Sequence, residues 1–588
     1  MECKSPTSSS SSFPAQLRTV GERVDDGLGS LGTIRYVGPV PTAKDPPALY
    51  YGIEWDDWGR GKNDGSVELP NGQRVLVFAG PAGCLKTRTG DSGSKDTVFK
   101  CSFVKSTKVD EMPKPATLFQ RLQERYCTVD SNFDPGVGDV DVVVTGEVQT
   151  TLGSEKPIEF VGAKKLRTQQ TLHTIEKISL SGCQIAELGI GTNGESLRTM
   201  TPRLTELDLS KNLFKTWTDV VSVVRELPLL KTLILSGNRF TVDEKNVAGR
   251  GDDVFESVKV LVLNQTLLSW NQVGKLVTRH FPKLEELHLV ANEYGDEQLS
   301  VFQQSGSWTE MLTVLDLSLN DLVSWNRLLC TVGEMFVNLS QLILNGNRIA
   351  ALVTDRDRHV ARFQKLTTLS LSENRVNSWT SIDSLNAFPL LDTLRFSKNP
   401  LTSQMSPGEA RMLIIARTDH VAVFNASLVR DKERAEAEQL YLKRILHELA
   451  IVAEKACDRE RVLAAHPRYI RLRKMYPEIS IDQNDSVYGG GSMAGPRTLA
   501  SSLVKVRIIP MSMQATSFQP LVKRIPQQMK VSQLKLLIEA KFGVEVPAQV
   551  LSFRTDSRSL PMMLDDDSAE VGYFGMQDGS EVLVNDSE

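Results

Sequence analysis

Between Trp55 and Ser66 the chain reads Trp55-Asp56-Asp57-Trp58-Gly59-Arg60-Gly61-Lys62-Asn63-Asp64-Gly65-Ser66, and here residue types and spacing could do binding chemistry. Gly61 and Gly65 let a loop adopt positive φ and bring backbone N–H groups close to a ligand. Lys62 adds a positive charge and Asn63 an amide that both donates and accepts. Such a loop suits a carboxylate-rich peptide. Catalytic chemistry has less support. Gly80-Pro81-Ala82-Gly83-Cys84-Leu85-Lys86-Thr87 has the spacing of a phosphate-binding loop. Leu85, however, stands where a glycine must allow backbone amides to approach phosphate, which argues against nucleotide binding. The seven histidines lie far apart without metal-ligand spacing, and His288 reads as a repeat-face residue. No nucleophile motif or carboxylate pair stands out, so no enzyme, cofactor or metal is expected.

Holding the loop requires a small all-β domain, and residues 18–110 supply short β-type runs separated by Gly, Pro and Asp. Asn-Asp-Gly alone would be an ordinary hairpin turn. The segments Gly21-Glu22-Arg23-Val24, Gly32-Thr33-Ile34-Arg35-Tyr36-Val37-Gly38 and Tyr50-Tyr51-Gly52-Ile53-Glu54 precede the Gly-Lys-Asn-Asp-Gly core in the order used by CAP-Gly domains, and the region resembles that family. The resemblance implies binding of acidic, aromatic-ended tails of tubulin and its relatives. Gly61, Lys62, Asn63, Asp64 and Gly65 would form the tail-binding loop, and Tyr50, Trp55 and Phe78 the groove aromatics. The chain departs from the family after the core. Glu68 to Phe78 is longer than the usual link, and Thr97 to Val104 is the expected closing strand, reached through an insertion at 89–96.

From 170 to 430 an LxLxxN pattern recurs about nine times, with Asn-type positions 25 to 29 residues apart, within the leucine-rich-repeat range of about 20–29. Alternate leucines of a short strand point into the core, and the Asn amide satisfies backbone groups where the coil bends. Stacking predicts a curved solenoid. Its concave face would present Glu206, Asp208, Ile234, Val260, Val262, Glu286, Val314, Asp316 and Ile343, a mixture of acids and apolar residues. Trp217, Trp270, Trp325 and Trp379 recur on alternate repeats as core residues under convex-side helices. The Thr or Asn after each reads as an N-cap. Residues 431–477 form the helical cap that the last coil needs.

Residues 1–17 read as a disordered Ser-rich tail, 111–169 as a connector and 478–502 as a Gly-rich flexible linker. Strand and helix patterns over 503–588, with an amphipathic helix at Val531 to Phe542, follow the order of a ubiquitin-like β-grasp. The last residues, Asn585 to Glu588, carry no Gly-Gly, so conjugation is not expected. The predicted fold class is therefore multidomain: a small all-β CAP-Gly domain, an α/β leucine-rich-repeat solenoid with a helical cap, and a C-terminal ubiquitin-like β-grasp.

Composition narrows the setting. Hydrophobic content of 40% and charged content of 24% are ordinary for a soluble protein, and a net charge of −4 creates no field that recruits nucleic acid or anionic membrane. Seven scattered cysteines without a CxxC pair argue against a disulfide framework and a zinc site. No apolar run reaches about 18 residues. A cytoplasmic, cytoskeleton-associated protein is expected.

The order of the three modules resembles the tubulin-folding cofactor E family, as do Tyr441-Leu442-Lys443-Arg444, His466-Pro467-Arg468-Tyr469 and Gly572-Tyr573-Phe574-Gly575. The resemblance implies capture of α-tubulin and joint work with tubulin-folding cofactors B, C and D and β-tubulin in assembling and dismantling the heterodimer. The GTP hydrolysed in that cycle belongs to tubulin. A ubiquitin-pathway or proteasome adaptor, and a microtubule-tip binding protein, are the alternatives; copurification from cell extract would separate them.

Overall fold

The structure is a computed structural model of the 588-residue chain. It describes residues 17–41, 48–78, 85–89, 95–126, 147–149, 155–157, 172–191, 194–242, 253–299, 306–352, 362–452, 456–480, 503–511, 518–554, 562–564, 566–572, 574, 576 and 578–586. Residues 1–16 of the tail expected at 1–17, Gly80 to Cys84 of the phosphate-loop-like stretch, most of the linker, and Tyr573 and Gly575 lie outside these residues. Contacts divide the chain into two units, Met1–Tyr294 with Phe302–Asp316 and Gly295–Val301 with Leu317–Glu588.

In the first unit, β1 (Arg23–Asp25), β2 (Leu31–Pro39), β3 (Leu49–Trp55) and β8 (Cys101–Lys105) form an antiparallel sheet in the order β1-β2-β3-β8. Between β3 and β8 lie two hairpins, β4 (Ser66–Glu68) with β5 (Arg74–Leu76) and β6 (Leu85–Thr89) with β7 (Lys95–Phe99). Alternation on β3 sends Tyr51, Ile53 and Trp55 into a core with Val24, Ile34 and Val109. The expected closing strand is thus divided. Its first part pairs in the β6–β7 hairpin and only Cys101 onward joins the main sheet. The change falls at Lys100, whose ammonium is buried 3.2 Å from Glu54.

Part of the expected connector is an N-terminal cap for the solenoid. Ala116–Thr117 pairs parallel with Ile185–Glu187, and helix Leu118–Tyr126 buries Leu118, Phe119 and Leu122. Arg125 Nη1 donates to the Ser179 carbonyl at 2.9 Å, and Arg121 Nε to that of Cys183 at 2.7 Å. These are carbonyls of the first coil, which has no preceding repeat to bond.

The repeat strands of this unit are Lys177–Ser179, Glu206–Asp208, Thr232–Ile234, Val260–Val262, Glu286–His288 and Val314–Asp316. They run parallel in unbroken register. Central residues such as Leu207, Leu233 and Leu261 are buried, and most flanking ones are half-buried, because successive side chains alternate across the strand. Asn238 shows what the repeat asparagine does. Its Nδ2 donates to the carbonyls of Leu209 and Leu235 at 2.8 and 3.0 Å, and its Oδ1 accepts the Asn212 amide at 3.1 Å. One side chain therefore closes its own turn and ties it to the preceding coil.

Trp217 and Trp270 are buried, as is Trp325 in the second unit, while Trp379 stays half-exposed. The expected N-caps are displaced. The residue at the cap is the one before each tryptophan, Thr216, Ser269, Ser324 and Ser378. Ser269 and Gln272 form a capping box. A tryptophan at the first helical position keeps its indole over the core, which leaves the following Thr or Asn inside the first turn.

In the second unit Gln341–Ile343, Thr368–Ser370, Thr393–Arg395 and Val423–Phe424 run parallel and end on the antiparallel strand Ser427–Leu428. Helices Pro407–Arg417, Asp431–Ile451 and Tyr469–Met475 cap the stack. Burying their charges is tolerable only with partners. Arg417 meets Asp383 at 2.7 Å, Arg468 meets Glu438 at 2.8 Å, and His466 lies between Tyr441 Oη and Glu448 at 2.8 and 2.9 Å.

The last domain of this unit orders its strands as Leu521–Pro526, Leu503–Pro510, Glu581–Asp586, Gln549–Arg554 and Met562–Met563. Helix Val531–Phe542 packs Leu534 and Ile538 on the sheet and ends at Gly543, φ 70°. Cys101 is disulfide-bonded, a departure from the expectation of unpaired thiols; sequence spacing says nothing of which cysteines a fold brings together.

Candidate ligand-binding loop and repeat face

The Gly59–Gly65 loop lies against β7 and β8. Gly59 and Gly61 N–H donate to the Phe99 carbonyl at 2.9 and 3.1 Å, and Lys62 and Asn63 N–H to that of Cys101 at 2.7 and 3.0 Å. Gly65 N–H bonds Asn63 Oδ1 at 3.1 Å. These amides, expected to face a ligand, are therefore engaged inside the fold. The glycines serve close approach to protein. A Cβ at Gly61 would lie 2.4 Å from the Cys101 nitrogen, and one at Gly65, φ +85°, 2.1 Å from the Phe78 oxygen. What the loop leaves open to a ligand is side chains: Lys62 is exposed and Asn63 half-buried. Asp64 is held by Ser66 Oγ at 2.6 Å and Arg74 at 2.5 Å. Burial pushes its carboxyl up, but the bonds from Ser66 and Arg74 outweigh this and hold it below the usual carboxylate range.

Two of the three expected groove aromatics belong to the interior. Trp55 is 1% exposed, donates Nε1 to Ser102 Oγ at 3.1 Å and carries the Arg60 guanidinium 4.6 Å from its ring centre. It shares the parity of Tyr51 and Ile53 on β3, so alternation turns it inward. Phe78 is buried across Gly52, where a Cβ would meet its ring at 2.5 Å, and packs edge-on against Phe103 at 5.3 Å. Tyr50, of opposite parity, is half-buried. The structure adds Tyr36 and Phe103. Both pair with Gly52 across neighbouring strands, and with Val77 they make a half-buried apolar shelf around Phe78. A glycine between two aromatic-bearing strands was the available signal.

On the repeat face the register aligns one row of Lys177, Glu206, Thr232, Val260, Glu286 and Val314 and a second of Ser179, Asp208, Ile234, Val262, His288 and Asp316. The expected positions are half-buried except Val314, which is 9% exposed and belongs to the packing. Lys177 pairs with Glu206 at 2.7 Å, and Ser179 Oγ donates to Asp208 at 2.9 Å. His288 sits 3.7 Å from both Glu286 and Asp316; the Asp316 carboxylate, ahead of Glu286, raises the imidazole pKa above the usual value. Ile343, in the second unit, is half-buried beside Ser370. Among the described residues no cluster of His, Cys, Asp and Glu could hold a metal ion.

Fold and loop together define a three-module protein of the CAP-Gly, leucine-rich-repeat and ubiquitin-like type. The CAP-Gly domain family matches residues 20–75, the leucine-rich repeat residues 293–451 and the ubiquitin-like domain residues 503–588. Along nearly its whole length the chain is similar to proteins named tubulin-folding cofactor E or tubulin-specific chaperone E. It is 28% identical to tubulin-folding cofactor E of Arabidopsis thaliana, over 96% of this chain and 98% of that protein. Identity to tubulin-specific chaperone E is 27% in Xenopus laevis, over 95% of this chain and 96% of that one, and 27% in Homo sapiens, over 96% and 98%. The solution structure of the C-terminal ubiquitin-like domain of mouse tubulin-specific chaperone e matches 17% of this chain and 96% of that one, with 23% identity and a TM-score of 0.14.

Proposed function

We propose that the protein is a tubulin-folding cofactor that captures α-tubulin and takes part, with cofactors B, C and D and β-tubulin, in assembling and dissociating the heterodimer. The observation that carries this reading is similarity over more than nine-tenths of the chain to proteins named as tubulin chaperones. Lys62 and Asn63 hold the acidic tail of α-tubulin by charge-assisted contacts, with Tyr50 and the Tyr36–Phe103 shelf as its apolar neighbours. The repeat face takes the folded body, where Ile234, Val260 and Val262 would gain from being polar if no partner covered them. The ubiquitin-like domain is an interaction module. No step calls for catalysis, and the setting is the cytoplasm beside the cytoskeleton. No described helix is long and apolar enough to cross a membrane.

The test is binding of an α-tubulin tail peptide and of α-tubulin to the full chain. Lys62→Ala with Asn63→Ala should weaken peptide binding at least tenfold and make it less salt-dependent. Ile234→Lys with Val262→Lys should abolish capture of α-tubulin while peptide binding persists. Unchanged binding of both ligands in both variants refutes the reading.

A further inference from the structure

The outer face of the ubiquitin-like sheet has a charge arrangement that the tail-and-body reading does not use. On strand Leu503–Pro510, Val504, Val506 and Ile508 point into the core, so Lys505, Arg507 and Ile509 lie on the opposite face. The antiparallel register sets Lys505 directly across from Arg524 and Arg507 across from Val522. On the other side Arg507 neighbours Glu581, which in turn pairs across with Arg554.

One carboxylate serves two of these cations. Glu581 receives Arg554 at 2.6 Å and Arg507 at 3.4 Å, and its own side chain is 11% exposed. Among the described residues no carboxylate pairs with Lys505 or Arg524 in this way. They are exposed like charges at directly opposed positions, which weakens a sheet. Asp578 accepts the backbone N–H of Lys505 at 2.6 Å. Among the described residues of this face, Lys505, Arg507, Arg524 and Arg554 thus outweigh Asp578 and Glu581. Val522, 53% exposed, lies beside the opposed pair.

We propose that this face is a docking surface for an acidic peptide segment bearing an apolar side chain. A carboxylate of the segment lies between Lys505 and Arg524 and relieves their repulsion, and its apolar side chain covers Val522. The charge complementarity selects an acidic partner, and the row of alternating strand positions suits an extended one. The inference rests on the reading of this domain as an interaction module and is independent of what the Lys62 loop binds.

The experiment uses the full chain with Lys62→Ala, which removes the other proposed carboxylate site, and a fluorescein-labelled glutamate-rich decapeptide containing one Phe. Adding Lys505→Ala with Arg524→Ala should lower peptide affinity at least fivefold. Since that change removes a repulsive pair, the domain should keep its circular dichroism and melt no lower. The same peptide with Gln for Glu should not bind, and binding should weaken with salt. Affinity unchanged by the double substitution overturns the proposal. So does equal binding of the Gln peptide, or preference for phosphatidylserine vesicles over the peptide. Failure of the loop assignment is seen separately, as tail-peptide affinity unaffected by Lys62→Ala alone.

Discussion

The guanidinium of Arg239, on the third repeat of the solenoid, lies 3.8 Å from the carboxylate of Asp56 in the CAP-Gly domain. Asp56 is also the clamp on Arg23, whose side chain is fully buried and meets it through two nitrogens at 2.7 and 2.5 Å. Gln184 Nε2 adds a bond to Asp25 at 3.0 Å. The CAP-Gly domain is therefore docked on the first repeats through polar contacts, and burial lowers the pKa of Arg239 despite Asp56 nearby.

Asp56→Ala should cost more than Arg239→Met. The first leaves a buried guanidinium without its carboxylate, a loss of about 3–5 kcal/mol, whereas the second replaces a cation by an apolar chain of similar length. Limited proteolysis checks this. Asp56→Ala should expose residues 18–110 to cleavage, and Arg239→Met should leave them resistant while loosening the docked domain.

The loop glycines differ in what they tolerate. Gly59→Ala meets nothing within 4 Å and should cost only the strain of its φ of +90°, about 1–2 kcal/mol. Gly65→Ala must also displace the Phe78 carbonyl, so a cost of about 3 kcal/mol or more is expected. Calorimetry of the full chain should show the first CAP-Gly transition shifted modestly and the second lost or strongly lowered.

Asn238→Ala should destabilise the solenoid by about 2–3 kcal/mol, because it removes two bonds to buried carbonyls and leaves the buried Asn212 amide without the Asn238 oxygen, although Leu209 O keeps its bond from Asn212 Nδ2 and Leu235 O its bond from the Asn238 amide. Thr266 occupies the equivalent place with a single hydroxyl proton shared between the Leu263 carbonyl at 3.0 Å and Asn292 Oδ1 at 3.2 Å. Thr266→Val should therefore cost less, about 1–2 kcal/mol. Chemical denaturation followed by hydrogen exchange over 205–266 distinguishes the two.

His288 gives the repeat face a pH dependence. Its folded pKa is raised, first by the Asp316 carboxylate 3.7 Å away, above the ordinary 6.5. The stabilisation is fully present below about pH 6.5 and is lost as pH rises through the higher folded value. A contribution on the order of 0.5 kcal/mol fits a partly exposed pair. Imidazole titration by NMR should give a raised value that falls in Asp316→Asn, and exchange protection over 286–316 should decline from pH 6 to pH 8 in the parent only.

Repetition and parity made much of this legible in advance. The buried leucines, the asparagine turns and the helix at Val531–Phe542 each follow from a period that local chemistry enforces. Trp55 stands next to a binding motif, where an aromatic suggests a groove, yet its parity with Ile53 on the strand turns it into the core. Tyr36 and Phe103 were missed because they lie far apart in the chain and meet only across Gly52.

By itself the sequence determined the three modules, their order and the buried leucines and asparagines of the repeats, since period, turn chemistry and glycine placement act within a few residues. Only the tertiary structure decided how the loop amides are used, that residues near 116–126 close the solenoid, and that Arg239 reaches Asp56. Each of these depends on which backbone groups come within about 3–4 Å after folding, and a hydrogen bond or ion pair falls off too steeply with distance to be read from spacing along the chain.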